Sequence, residues 1–477
     1  MKLRHFFLAA SASLALAACA VGPDYARPGT PAGADRPFVA ALPQLVTADA
    51  PKDDWWRLYE DPVLDQLVAD ALTANTDLRV AIANWEKARA QLRESRADRL
   101  PQTSIGASGQ YTRNPAIQRA PGVAAEDWRV DTGLSISYEV DLFGRVKRSI
   151  EAGRADADAA GAAADVVRVG IVAETVRAYA DASSAAERIG VADRTLGLLD
   201  QTVTLTTKRF EAGRTTRLDV ARVSALRNQQ RATIPPLRAQ RDAALFRLAL
   251  LTGRVPADLP PQVGQRAATL RLDRPVPVGD GRALLARRPD VREAERRLAG
   301  ETARIGVATA DLYPRISLGG AIGSTGTGVS DLFGAGPLRW LAGPLLNWAF
   351  PNIEGGRARI AQAQASTKAA LATFDGTVLT ALQETETALS AYANMLQRRQ
   401  DLREATDEAR VASRISRAQL REGRVDFLIV LDAERTLAGA ESDLAEADAR
   451  VAATQIDLFR ALGGGWQSDA KQMAALP

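Results

Sequence analysis

Between residues 130 and 141 (VDTGLSISYEVD) apolar and polar positions alternate. Val130, Thr132, Leu134, Ile136, Tyr138 and Val140 fall on one side; Asp131, Gly133, Ser135, Ser137, Glu139 and Asp141 fall on the other. A two-residue period predicts a β-strand with one apolar and one polar face. About ten residues is also what a tilted strand needs to cross a bilayer core. Residues 103–112, rich in Gly, Ser and Thr, predict a second strand, and 113–129, with Pro115, Pro121 and Gly122, predict the loop between them. A similar pair is predicted at Ile316–Ser324 and Arg339–Trp348, around a glycine-rich loop 325–338.

The rest of the pattern is helical. Residues 62–99, rich in Ala, Leu and Arg, predict one helix that Pro101 ends. Residues 145–208 and 357–420 are Ala-rich stretches of 64 residues each without proline. As single helices each would run about 95 Å at roughly 1.5 Å per residue. Such helices need neighbours, because propensity alone stabilises them little. Turns are predicted at 211–216 and 422–426, followed by return helices 217–252 and 427–462. Pro235 and Pro236 predict a kink or break in the first return helix.

The chain repeats itself. Laid against residues 291–319, residues 78–106 align Arg79 with Arg292, Ala81 with Ala294, Asp98 with Asp311, Pro101 with Pro314 and Gly106 with Gly319, at an offset of 213. Tyr179 matches Tyr392 at the same offset, Arg145 matches Arg357 at 212, and FEAGR (210–214) matches LREGR (420–424) at 210. Several matches in order at nearly constant offset indicate two copies of one large module. The domain plan is a leader 1–18, a tether 19–61, a first module 62–254, a linker 255–288, a second module 289–462 and a tail 463–477.

The N-terminus points to a compartment. A basic start (MKLR) precedes an apolar run at 6–18, short like a signal-peptide core and too short to span a membrane. Leu16-Ala17-Ala18-Cys19 sets small residues before the single cysteine, the pattern for lipoprotein cleavage and acylation (diacylglycerol, then palmitate) at Cys19. Ala20 follows, with no Asp to hold the product in the inner membrane, so the expected place is the outer membrane, with Pro-, Gly- and Ala-rich residues 20–51 as an extended tether. No other stretch approaches 18 apolar residues, so a membrane crossing must use β-strands.

Composition narrows the chemistry. The 477 residues are 46% hydrophobic and 25% charged, enough apolar residues for a sizeable core. The formal charge of +4 includes Lys2 and Arg4 of the leader, and no block of like charges suggests a nucleic-acid arm. The only histidine is His5 and the only cysteine Cys19, leaving the mature chain no usual zinc site and no histidine-based triad. Its carboxylates are spread along helices rather than gathered in loops. No catalytic residue, metal or cofactor is predicted, and the chain is not expected to be an enzyme.

Four strands do not close a membrane barrel, and an open sheet in lipid leaves unsatisfied edges. Several copies must therefore contribute. Two would give eight strands and a filled interior; three would give twelve strands and a wide pore.

CAVGPDYARP (19–28), DWWRLYEDPVLDQLVADALTANTDLRVA (54–81) and RRPDVREAERRLAGETARIGVATADLYPRISLGG (287–320) resemble signatures of the TolC-like outer-membrane efflux factors, in the lipoprotein branch that serves RND-type pumps. The resemblance covers essentially the whole mature chain. It implies a mainly α fold with a small membrane β part: a homotrimer whose twelve-stranded β-barrel continues into a long α-helical barrel. It further implies a periplasmic adaptor, an inner-membrane pump of RND type, and export of small molecules across the outer membrane.

A conduit needs a lumen, a gate and docking surfaces. Arg424, Leu428 and Asp432 lie four apart on one face of the second return helix. In the family the matching Leu and Asp positions converge near the axis, which makes Leu428 and Asp432 gate candidates. At offset 210, Asp432 matches Arg222, an opposite charge that could pair with it between adjacent staves. Gly213 and Gly423, followed by Arg214 and Arg424, sit where each long helix reverses and are candidates for adaptor docking. Tyr111, Tyr138, Trp340 and Trp348 lie near strand ends, as membrane-interface aromatics do. Trp55 and Trp56 read instead as packing anchors. The rival reading is a lipid-anchored periplasmic coiled-coil scaffold with no pore, which accounts for the helices and Cys19 but not for the alternation at 130–141.

Overall fold

The computed structural model describes residues 20–464 except 30, 35, 50, 120, 123, 334–337 and 352. The leader, the acylation candidate Cys19 and most of the tail lie outside the described residues. In chain order the elements are β1 (Val46–Thr47), α1 (Pro62–Ala74), α2 (Thr76–Ala97), β2 (Gln102–Arg113), β3 (Glu126–Val140), α3 (Arg145–Glu211), α4 (Arg217–Leu251), β4 (Val276–Pro277), α5 (Gly281–Arg287), α6 (Pro289–Ala310), β5 (Arg315–Gly326), β6 (Leu338–Asn347), α7 (Glu354–Arg421) and α8 (Phe427–Ala461). Short 3-10 turns join several of them, including Trp55–Tyr59.

The expected single helix over 62–99 is two. Asn75 takes an extended conformation between them. Its Oδ1 accepts the amides of Asp77 and Leu78 at 2.9 and 3.1 Å, and its Nδ2 donates to the Leu251 carbonyl at 3.1 Å. An asparagine that bonds its own backbone competes with the helix ladder and caps the next helix instead. Of the kink or break expected at Pro235 and Pro236, the break does not occur, since both lie inside α4. Ile234 and Leu237 on either side of the pair are buried against Ala192 of α3, and this packing supports the helix where two backbone donors are missing.

The chain forms two compact units. The first comprises residues up to Pro28, Asn84–Gly161 and Glu293–Asp375. It holds a four-stranded antiparallel sheet in the order β2-β3-β5-β6. Its N-terminal segment is strapped down. The Val21 amide donates to the Phe143 carbonyl at 3.1 Å, Asp24 pairs with Arg148 at 2.7 Å, and the Tyr25 hydroxyl donates to Glu295 at 2.5 Å. Gly22, at φ +91°, lies so close to Gly306 that a Cβ would fall 2.5 Å from its Cα.

The second unit comprises Gly29–Ala83, Ala162–Arg292 and the chain from Gly376. Trp55 stacks on Phe459 at 4.7 Å and is 1% exposed. The Tyr59 hydroxyl donates to Gln455 at 2.9 Å, and Gln455 donates to the Tyr392 hydroxyl at 3.0 Å. Buried Asp61 accepts the Val63 and Leu64 amides, the Tyr179 hydroxyl at 3.0 Å and Arg266 at 2.9 Å. The tether reading fails for its C-terminal part. Phe38, Trp55, Trp56 and Tyr59 belong to this core, β1 pairs in parallel with β4, and Glu386 accepts the amides of Val39 and Ala40. The linker 255–288 also enters it through Val263, Leu270, Leu272, Val276 and Leu284. Irregular segments lack the periodicity that would have announced this burial.

Two outcomes are expected. Trp55→Ala should cost about 3–5 kcal/mol, as loss of a buried aromatic does, and lower the thermal midpoint; an unchanged midpoint contradicts the packing role. Hydrogen bonds from Thr216 and Thr215 hold the Asp219 carboxyl below its ordinary value in the cap of α4. A depressed folded pKa gives stability that is present above the unfolded value of about 3.9 and lost as pH falls. Asp219→Asn should therefore lower the melting temperature at neutral pH, with the gap to the parent narrowing in acid; a gap independent of pH contradicts this.

Candidate functional site

The sheet has two chemically distinct faces. The register sets Ile105 opposite Leu134, Leu134 opposite Ile322, Tyr138 opposite Leu318, and Trp340 opposite Ile322. One face thus carries Ile105, Tyr111, Trp128, Leu134, Ile136, Tyr138, Leu318, Ile322 and Trp340, all exposed. The other carries Ser104, Ser135, Asp131, Glu139, Arg129 and Arg339, and at β6 also exposed Leu341 and Leu345. Its charges are paired: Arg129 with Asp131 at 2.8 Å, Arg339 with Asp131 at 3.5 Å, and Arg145, just beyond β3, with both Glu139 oxygens. Charged groups are thus matched on one face, which is apolar only at β6, while most of the large apolar side chains stand unpartnered on the other, as in a sheet between lipid and water.

All four aromatics expected at the interface are exposed, Trp340 most of all at 75%. Tyr111 meets Trp128 at 5.7 Å near the 114–125 loop, and Trp340 lies near the same end of β6. Tyr138 and Trp348 mark the opposite strand ends. Trp348 donates to the Leu312 carbonyl at 3.0 Å and stacks on Phe350 at 4.7 Å. From Trp128 to Tyr138 is ten residues, about 33 Å along a strand. A tilt of about 40° reduces that to about 25 Å, the height of a barrel's apolar band. Trp128 was missed because the predicted strand began at 130. Its even parity with Val130 to Val140 was the available signal.

The two long helices end alike. Gly213 at φ +68° and Gly423 at φ +70° follow α3 and α7, and the amides of Arg214 and Arg424 bond back to the carbonyls of Arg209 and Gln419. A left-handed residue here closes orphan carbonyls of the last turn, which glycine does without strain. All four candidate docking residues are exposed, and Arg424 pairs only locally with Glu422 at 3.0 Å.

Leu428, Asp432 and Arg222 are also exposed. On α8, Phe427, Val430, Glu434 and Leu437 form the buried stripe, so Leu428 and Asp432 lie off it. Among the described residues no ion pair joins Asp432 to Arg222 within one chain. Sequence reasoning overlooked Glu434. It is buried, accepts the Ser413 hydroxyl at 3.0 Å and takes both Nε and Nη2 of Arg417, tying α7 to α8 near the turn. Its place in an otherwise apolar 427-430-434-437 stripe was the legible sign. Among the described residues no helix is long and apolar enough to cross a membrane.

The comparisons bear on this geometry. The family described as outer membrane efflux protein matches residues 67–254 and 281–464. The chain is 34% identical over 459 residues to outer membrane protein OprJ of Pseudomonas aeruginosa, covering 95% of this chain and 94% of that one. It is 31% identical over 473 residues to nodulation protein T of Rhizobium leguminosarum bv. viciae, covering 97% and 94%. Among solved structures it is similar to the outer-membrane channel OprN, with TM-score 0.88 at 36% identity over 94% of this chain and all of that one. It is also similar to the open state of the MtrE outer membrane channel of Neisseria gonorrhoeae, with TM-score 0.77 at 27% identity over 94% and 99%. The helices, the two-faced sheet and these likenesses agree: the chain belongs to the outer membrane efflux protein family, and the outer membrane is its place in the cell.

Proposed function

We propose that the protein is the outer-membrane channel of a tripartite efflux system. In this reading it is a homotrimer that carries small molecules from an inner-membrane pump of RND type and a periplasmic adaptor across the outer membrane. One observation carries it: an open, two-faced, four-stranded sheet with no partner for the outer edges of β2 or β6 among the described residues. Four is an even number, so β6 of one copy meets β2 of the next antiparallel whatever the number of copies. Three copies supply twelve strands, enough for an aqueous lumen lined by the polar face. OprJ and OprN, which this chain resembles over nearly its full length, are by name an outer membrane protein and an outer-membrane channel.

The remaining assignments follow the same reading. Cys19 carries the lipid. Tyr111, Tyr138, Trp340 and Trp348 form the interfacial belts. The turns at Gly213-Arg214 and Gly423-Arg424 face the adaptor. Leu428 and Asp432 ring the axis at the periplasmic tip, with Arg222 of a neighbouring stave as counter-charge. Exposure of Leu428, Asp432 and Arg222 in a single chain supports contacts made only between chains. The scaffold reading leaves the apolar sheet face without a purpose.

The deciding experiment is single-channel conductance of the purified mature protein in a planar bilayer, with its oligomer mass measured alongside. A trimer with discrete, mostly low conductance is expected. A monomer that never conducts overturns the channel. Asp432→Ala should raise the open conductance or open fraction while the mass stays trimeric; an unchanged closed state removes Asp432 and Arg222 from the gate.

A further inference from the structure

The second unit contains a cavity of about 580 Å³ between the C-terminal parts of α3 and α7 and the first turns of α8. That volume is in the range of small-molecule sites, about 300–1,000 Å³. Its apolar lining is Leu198, Leu205, Leu420, Phe427, Val430 and Leu437. Its charged lining is mostly cationic: Arg209, Arg410, Arg414, Arg417 and Arg421 line it, against one acidic residue, Glu441.

The cationic lining is not neutralised from within. Buried Glu434 takes up Arg417, and Arg410 is shared between Asp407 and Glu441, each at 3.1 Å. Among the described residues Arg209, Arg414 and Arg421 have no carboxylate within 4.0 Å. Three guanidiniums without a carboxylate partner line one concave space, and an anion placed in it would complement their charge. Guanidinium forks match the two oxygens of a carboxylate, and the Leu, Val and Phe lining gains from covering a hydrocarbon or aromatic body.

We propose that this cavity binds an anionic amphiphile, a small molecule with a compact apolar body and one carboxylate or similar oxyanion. The occupant touches α3, α7 and α8 together and braces them above the Gly213 and Gly423 turns. The site does not rest on the channel reading, since a poreless scaffold with the same helices would hold it equally.

The test uses the full-length protein in phosphatidylcholine nanodiscs, with signal from empty discs subtracted. Three fluorescent probes share one body and differ in charge: 1-pyrenebutyrate, 1-pyrenebutanol and 1-pyrenebutylamine. The acid should bind saturably and at least about tenfold more tightly than the alcohol, and the amine should not displace it. Raising ionic strength should weaken the acid and leave the alcohol unchanged. Arg414→Gln with Arg421→Gln should cut acid affinity about tenfold, while Arg414→Lys with Arg421→Lys retains most of it. Oligomer mass and melting temperature identify any variant that has misfolded, in which case salt dependence of the parent decides. Equal affinity for acid and alcohol, salt-independent acid binding, or an unaffected and properly folded glutamine variant each overturns the proposal.

Discussion

A β-sheet edge in hydrocarbon leaves its outward N–H and C=O groups with nothing to bond, at several kcal/mol for each group. The outer sides of β2 and β6 would be such edges in a membrane, and within one chain no described strand covers them. This cost governs what the four strands can be. Their sheet is not self-sufficient in a membrane, and its even strand count makes any further pairing antiparallel. The side chains largely obey the same solvent division. Exposed Ile, Tyr and Trp collect on one face, and the other holds Ser, Gly and charges already matched, such as Arg129 with Asp131, together with Leu341 and Leu345 of β6.

The second unit meets a different requirement, which is to bond the polar groups it buries, and it does so for most of them, with Trp55 Nε1 and Thr269 Oγ1 as exceptions. Asp61 serves as the cap of α1 and as acceptor for Tyr179 and Arg266. Gln455 bridges Tyr59 and Tyr392, and a phenol this deeply buried stays protonated because desolvation raises the Tyr59 pKa far above its ordinary value. These bonds join segments from 63 to 396 residues apart, so N-terminal chain, linker and long helices share one core. Around the helical turns, α8 sends Phe427, Val430, Glu434 and Leu437 inward and leaves Leu428 and Asp432 outside. The same helix thus holds the tip together and supplies exposed groups to whatever meets it.

Much of this was legible in the sequence, for a physical reason in each case. Two-residue alternation over 130–141 reports a sheet between two solvents, because the side chains of a strand point alternately to either face. Proline-free Ala-rich stretches that end in glycine report α3 and α7, since both propensity and capping are local. The reading failed where the deciding partner was distant in sequence. Asn75 splits 62–99 with a bond to Leu251, and Pro235 and Pro236 remain helical on packing against Ala192. Within the expected tether, Phe38 entered the core beside the expected anchors Trp55 and Trp56, and the expected linker entered it through Leu270.

The sequence by itself determined most of the elements, the two-faced strands and the repeat of modules, because each follows from residue type and near-neighbour spacing. Only the tertiary structure decided strand order and register, the burial of Glu434 against Arg417, and the gathering of arginines from α3 and α7 in one cavity with apolar side chains. Those depend on which distant surfaces meet, and that is a property of packing that no local pattern encodes.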